Sequence, residues 1–95
     1  MKRFVVVGLG NFGSSVAEAL YGQGHEVIAV DLREEAVDRI AAHATRAAVA
    51  DGKSLEALQR AGAKGADAGV VSTGDDITAS ILAAMALRDL GVKEI

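Results

Sequence analysis

Residues 4–13 read Phe4-Val5-Val6-Val7-Gly8-Leu9-Gly10-Asn11-Phe12-Gly13, and this stretch decides the fold. A β-branched run closed by glycine is the pattern of a strand buried on both faces of a parallel sheet. The glycines that follow have the spacing G-x-G-x-x-G, which carries little information alone and a great deal between a strand and a helix. Val16, Ala17 and Leu20 fall at helical spacing from Phe12 to about Tyr21, with Gly22 and Gly24 as the stop, so the loop opens a helix directly. Each glycine then has a separate physical role. Gly8 makes the tight turn, Gly10 removes a side chain that would block a phosphate, and Gly13 lets the helix approach the strand.

Outward from this unit the alternation continues. Glu26 to Asp31 holds a second apolar run ending on an acid, and Arg33 to about Ala42 places Ala36, Val37, Ile40 and Ala41 on one helical face. A weaker strand is expected around Arg46 to Ala50, then a short helix capped by Ser54 and ended by Gly62. Ala68 to Ser72 reads as a fourth strand. Asp75 or Asp76 caps a helix over Ile77 to Leu90, and Val92 to Ile95 begins a fifth strand. Strands separated by helices pair in parallel through right-handed crossovers, so the expected class is α/β: a Rossmann-like doubly wound parallel sheet of five strands, one domain over residues 1–95, its C-terminal end incomplete.

Composition sets limits on function. Only Phe4, Phe12 and Tyr21 are aromatic in 95 residues, so the core is built from small aliphatic side chains. The formal net charge is −3 and the basic residues are scattered, which gives no electrostatic footprint for nucleic acid. There is no cysteine, and His25 and His43 lack partners at ligand spacing, so no metal is expected. The N-terminal apolar run is too short for a signal segment or a membrane span, and direct membrane insertion is not expected.

The carboxyl ends of the strands carry the candidate binding residues. Amide groups at the start of the first helix, around Gly10, Asn11, Phe12 and Gly13, can hold a phosphate without any lysine. Asp31 lies eighteen residues past Gly13, near the spacing at which an acid accepts the adenosine ribose hydroxyls, or it caps the next helix. A carboxylate there repels a 2′-phosphate, whereas Arg33 can receive one. Asp51-Gly52 follows the third strand and Thr73-Gly74-Asp75 the fourth, at the edge where open α/β sheets bind ligands; a turn and a helix cap are their other readings. Lys53 is in reach of a phosphate, but reads first as a solvated loop residue. No Ser/His/Asp or Cys/His set, paired carboxylates or P-loop lysine can be assembled, so no catalytic residue is assigned and the domain is expected to bind rather than react. The helix from Ile77 is apolar on more than one face, so a second apolar surface there needs a cover.

The segments Phe-Val-Val-Val-Gly-Leu-Gly-Asn-Phe-Gly, Gly-His-Glu-Val-Ile-Ala-Val-Asp, Val-Ala-Asp-Gly and Asp-Ile-Thr-Ala-Ser-Ile occur in order, and with them the whole chain resembles the TrkA-like regulator-of-potassium-conductance domains. The resemblance implies a cytoplasmic regulatory subunit that binds NAD(H) or ATP/ADP without turnover, assembles as a homo-oligomeric dimer or ring, and gates an integral-membrane potassium channel or transporter. It maps Gly8, Gly10 and Gly13 onto the glycine loop, Asp31, Leu32 and Arg33 onto the ribose segment, Asp51 and Gly52 onto the adenine-side turn, and Thr73, Gly74 and Asp75 onto the loop after the fourth strand. Family members that sense ATP against ADP often carry arginine after the second glycine. This chain has Asn11 there, which keeps NAD(H) beside ATP and ADP. The other reading is the cofactor-binding half of an NAD-dependent dehydrogenase, which a second, catalytic domain would have to complete.

Overall fold

The computed structural model describes residues 1–95. Strand β1 (Arg3–Val7) runs into helix α1 (Asn11–Gly22), followed by β2 (Glu26–Asp31), α2 (Glu34–Ile40), a 3₁₀ turn (Ala41–His43), β3 (Arg46–Val49), α3 (Leu55–Ala61), β4 (Ala68–Val71) and α4 (Ile77–Asp89). All strand pairs are parallel and the sheet order is β3-β2-β1-β4. Val5 sits between Ile28 and Gly69 in this register, so β1 is central.

Alternation along the strands sends side chains into two cores. Val5, Val7, Ile28 and Val30 face α3 and α4, where Leu58, Ala83, Ala86 and Leu87 meet them. Val6, Val27 and Ala29 face α1 and α2, against Ala17, Ala36, Val37 and Ile40. A strand buried from both sides explains why β1 and β2 read as unbroken apolar runs rather than as alternating ones.

The helix ends follow local chemistry. Ser54 Oγ accepts from the Ala57 N–H at 3.2 Å and Asp76 Oδ1 from the Ala79 N–H at 2.9 Å, so Asp76, not Asp75, caps α4. Gly62 ends α3 at φ +103°, a left-handed conformation that glycine adopts without penalty. α2 stops at Ile40, earlier than the apolar spacing predicts: Ala41 is exposed in the 3₁₀ turn and Ala44 takes the buried position.

The sheet has four strands, not five. The expected fifth is a single parallel bridge between Ala68 and Glu94, with the Gly69 N–H donating to the Glu94 carbonyl at 2.7 Å. Val92 is still held by the α4 terminus, its N–H donating to the Leu87 carbonyl at 3.0 Å, so the pairing with β4 begins only at Glu94.

A crevice at the carboxyl ends of the strands

From β1 the chain steps through α1 and α2 outward to β3, then returns across the opposite face through α3 to β4. The strand order therefore reverses between β1 and β4, and α1 and α4 leave the sheet on opposite faces. Loops that diverge in this way leave a crevice, the usual ligand site of open α/β sheets. Here it is a cavity of about 420 Å³ lined by the ends of β1 and β2 and by the segments that follow β3 and β4.

The glycine loop forms one wall. Gly8 has φ +98°, and a Cβ there would lie 1.9 Å from the Ser72 carbonyl oxygen, so this position needs glycine both for its conformation and because the loop after β4 passes against it. At Gly13 a Cβ would lie 1.9 Å from the Gly8 carbonyl oxygen, so α1 starts in contact with the turn that precedes it. Gly10 differs: a Cβ there meets nothing within 4 Å, and the residue lies on the cavity wall as the N-cap of α1. The turn is held by the Gly8 N–H, which donates to the Val30 carbonyl at 2.9 Å, and by the Ser14 Oγ, which donates to the Leu9 carbonyl at 2.9 Å.

Asp31 ties this wall to the next. Its Oδ2 accepts from the Leu9 N–H at 2.7 Å and from Arg33 Nη2 at 3.3 Å; its Oδ1 accepts from the Arg33 N–H at 2.8 Å and from Arg33 Nε at 3.1 Å. Burial raises the carboxyl's affinity for its proton, but the hydrogen bonds from the Arg33 side chain and backbone and from Leu9, with the guanidinium charge, outweigh it and hold the pKa below the ordinary 3.8. The same pair raises the pKa of Arg33. Asp31 does not cap α2, whose N-cap is Arg33.

Beyond β3, Asp51 Oδ1 accepts from the Lys53 N–H at 2.9 Å, and Lys53 Nζ lies 3.4 Å from the same carboxylate. The backbone bond from Lys53 is the main reason the Asp51 pKa falls below 3.8. Beyond β4, Thr73 Oγ1 donates to the Asp76 carbonyl at 3.1 Å and is hydrogen bonded to the Ser80 hydroxyl. The residues singled out in the sequence thus divide. Gly8, Gly10, Asp31, Leu32, Arg33, Asp51, Gly52, Thr73 and Gly74 line the cavity, while Asn11, Phe12, Gly13 and Asp75 do not. Helix geometry accounts for the first three exceptions: with about 100° of rotation per residue, turning Gly13 onto β1 sends Phe12 outward, where it is exposed.

Sequence reasoning assigned no ligand contact to Ser72, Asp76, Ala79 and Ala83 and set Lys53 aside as a loop residue, yet all five line the cavity. Lys53 and Ser72 adjoin predicted site residues, which was the available signal. Ala79 and Ala83, spaced one turn apart on α4, offered none beyond the general apolarity of that helix. No group of three or more His, Cys, Asp or Glu side chains is placed to hold a metal ion, and no helix is long and apolar enough to cross a membrane.

A parallel sheet of order β3-β2-β1-β4, with a glycine turn from β1 into α1 and a crevice at the strand-order reversal, defines a Rossmann-type unit. The TrkA-N domain family model matches residues 4–95, and the chain belongs to that family. It is 38% identical over 94 residues to Ktr system potassium uptake protein A of Bacillus subtilis and 39% identical over 94 residues to Ktr system potassium uptake protein C of the same organism. Ktr system potassium uptake protein A of Vibrio alginolyticus is 35% identical over 94 residues. These matches take in 99% of this chain but 42% of each Bacillus protein. Among solved structures, the NAD(P)-binding domain of an exopolyphosphatase-related protein from Archaeoglobus fulgidus superposes with a TM-score of 0.78 at 22% identity, over 95% of this chain and 67% of that one. At that identity the likeness speaks to the fold alone.

Proposed function

We propose that the chain is the nucleotide-binding domain of a cytoplasmic regulatory subunit in potassium uptake, that its crevice takes NAD(H) or ATP/ADP without chemical turnover, and that exchange of the nucleotide gates an integral-membrane channel or transporter partner. The observation that carries this reading is Gly10. It caps a helix of 12 residues, faces the cavity, and leaves open the space that any side chain would fill. Gly10 brings the N-terminal end of α1, with the positive end of its dipole, to the cavity wall, where an anionic group can approach it. Beside the loop Asp31, at the end of β2, lines the same crevice, at the sequence spacing of an acid that receives a ribose. The names of the Ktr relatives support the link to potassium uptake.

Regulation requires that each nucleotide favour a different arrangement of the assembled protein, since a ligand with equal affinity for two states shifts neither. The surface for such assembly is α4, where Ile77, Ile81, Leu82 and Met85 are exposed. We assign this face to contacts between copies in a dimer or ring.

Calorimetric titration with NAD, NADH, NADP, ATP and ADP tests the reading. Saturable binding of at least one is expected, with no consumption of nucleotide over hours, and Asp31→Ala, which removes the acceptor of the Leu9 N–H in the glycine loop, is expected to weaken every adenosine ligand. Absence of binding to all five, or steady turnover of one of them, would overturn it.

A further inference from the structure

The Asp31 carboxylate is fully used by donors of its own chain. A carboxylate has about four lone-pair positions, and those of Asp31 are taken by the Leu9 N–H, the Arg33 N–H, Arg33 Nε and Arg33 Nη2 at 2.7, 2.8, 3.1 and 3.3 Å. Two of these donors are backbone groups fixed by the fold: Leu9 is 1% exposed within the glycine loop, and the Arg33 amide sits at the entry to α2. The other two belong to one side chain that is 52% exposed and free to turn toward solvent. They are two N–H groups on one rigid plane, each directed at a different carboxylate oxygen, which is also the arrangement of the two hydroxyls of a ribose diol.

We propose that the Arg33 guanidinium is an internal competitor for the ribose diol, and thereby the residue that sets how strongly the crevice selects ribose over 2′-deoxyribose. The inference rests on the nucleotide reading of the crevice. A diol reaches Asp31 only by displacing Nε and Nη2, so its two hydrogen bonds replace two that already exist. The 2′-hydroxyl therefore contributes little net affinity while Arg33 is present. With the side chain removed, the two vacated positions have only water as their alternative partner, and the 2′-hydroxyl gains its full value. The backbone donors remain in both cases, so the shape of the loop is kept. The guanidinium also attracts phosphate, which complicates any comparison of absolute affinities. Comparing ribo- and deoxyribonucleotides with identical phosphates cancels that contribution.

The test is calorimetric titration of the wild-type protein, Arg33→Met and Arg33→Lys with ADP and 2′-deoxy-ADP. Methionine keeps an apolar stem of similar reach, and lysine keeps the charge but cannot close both oxygens in one plane. The ratio of the 2′-deoxy-ADP to the ADP dissociation constant is expected to be near one in the wild type. It should rise roughly ten- to a hundredfold in Arg33→Met, the value of one hydrogen bond to a charged group, and take an intermediate value in Arg33→Lys. An unchanged or smaller ratio in Arg33→Met, with ADP still binding, overturns the competition and leaves the nucleotide reading intact. Failure of both nucleotides to bind any of the three proteins, with the fold verified by circular dichroism, overturns this inference; if NAD, NADH, NADP and ATP also fail to bind the wild type, the nucleotide reading falls with it.

Discussion

Replacing Gly13 by alanine tests whether the start of α1 is held by backbone contact or merely tolerates glycine. An added Cβ would lie 1.9 Å from the Gly8 carbonyl oxygen and 3.0 Å from its carbon. Both atoms are backbone, so neither can swing aside as a side-chain tip would. Relief requires α1 to move away from the β1 turn by more than an ångström. That movement opens the packing of Ala17, which is fully buried beneath the same helix, and pulls on the hydrogen bond from Ser14 to Leu9. Overpacking of this kind costs about 1–3 kcal/mol, and two rigid neighbours place this site at the upper end. For a domain of this size about 3 kcal/mol lowers Tm by roughly 12–24 °C. Gly10→Ala supplies the control, since its Cβ meets nothing within 4 Å and the backbone φ of −71° suits any residue. Its cost is confined to the loss of a favoured capping residue, about 1 kcal/mol or less, whereas nucleotide binding should fall with it. Thermal unfolding followed by far-ultraviolet circular dichroism measures both variants. A Tm for Gly13→Ala within about 4 °C of the wild type, or a larger loss for Gly10→Ala, refutes the assignment of Gly13 to packing and Gly10 to ligand space.

Three further outcomes are expected. Asp76→Ala removes the side-chain acceptor of the Ala79 N–H and should lower Tm by about 4–8 °C, while Asp75→Ala, which caps nothing, should not; urea unfolding of the pair distinguishes them. Asp31, Asp51 and Asp67 all titrate below the ordinary 3.8 in the fold, Asp67 chiefly through the hydrogen bond from the Arg3 N–H, so the stability they contribute is present above that value and is lost as the pH falls through the folded pKa values. The urea midpoint should therefore decline on acidification below about pH 4, and the decline should be shallower in Asp67→Asn; a flat profile would contradict the three shifts. If copies assemble through α4, Ile81→Ser with Met85→Ser should reduce the mass measured by light scattering while leaving the far-ultraviolet circular dichroism spectrum unchanged, because both side chains are exposed in the single chain.

Much of the architecture was legible because it is encoded locally. The unbroken runs Phe4–Val7 and Val27–Val30 state that β1 and β2 are covered on both faces, and a parallel sheet with helices on each side is what covers them. Ser54 and Gly62 mark the ends of α3 through hydrogen bonds and conformations confined to a few residues. The glycine loop was legible for the same reason: a strand, a tight turn and a helix start are consecutive in the chain.

Local sequence thus sets the elements, the faces they bury, and the presence of Gly10, Asp31, Asp51 and Thr73 at strand ends. How those ends meet depends on the packing of the whole sheet. The order β3-β2-β1-β4 sets the Ser72 carbonyl against Gly8 and brings Ala79 and Ala83 of α4 to the same crevice, contacts between segments more than sixty residues apart that no periodicity encodes. It also removed Asn11, Phe12 and Asp75 from the cavity wall, because which side of a helix faces a neighbouring loop depends on where that loop has been placed. Arg33 shows the same division on a smaller scale. Its position two residues after an acid is written in the chain, but the occupation of every acceptor on Asp31 depends on the Leu9 amide, which the pairing of β1 with β2 delivers from twenty-two residues away.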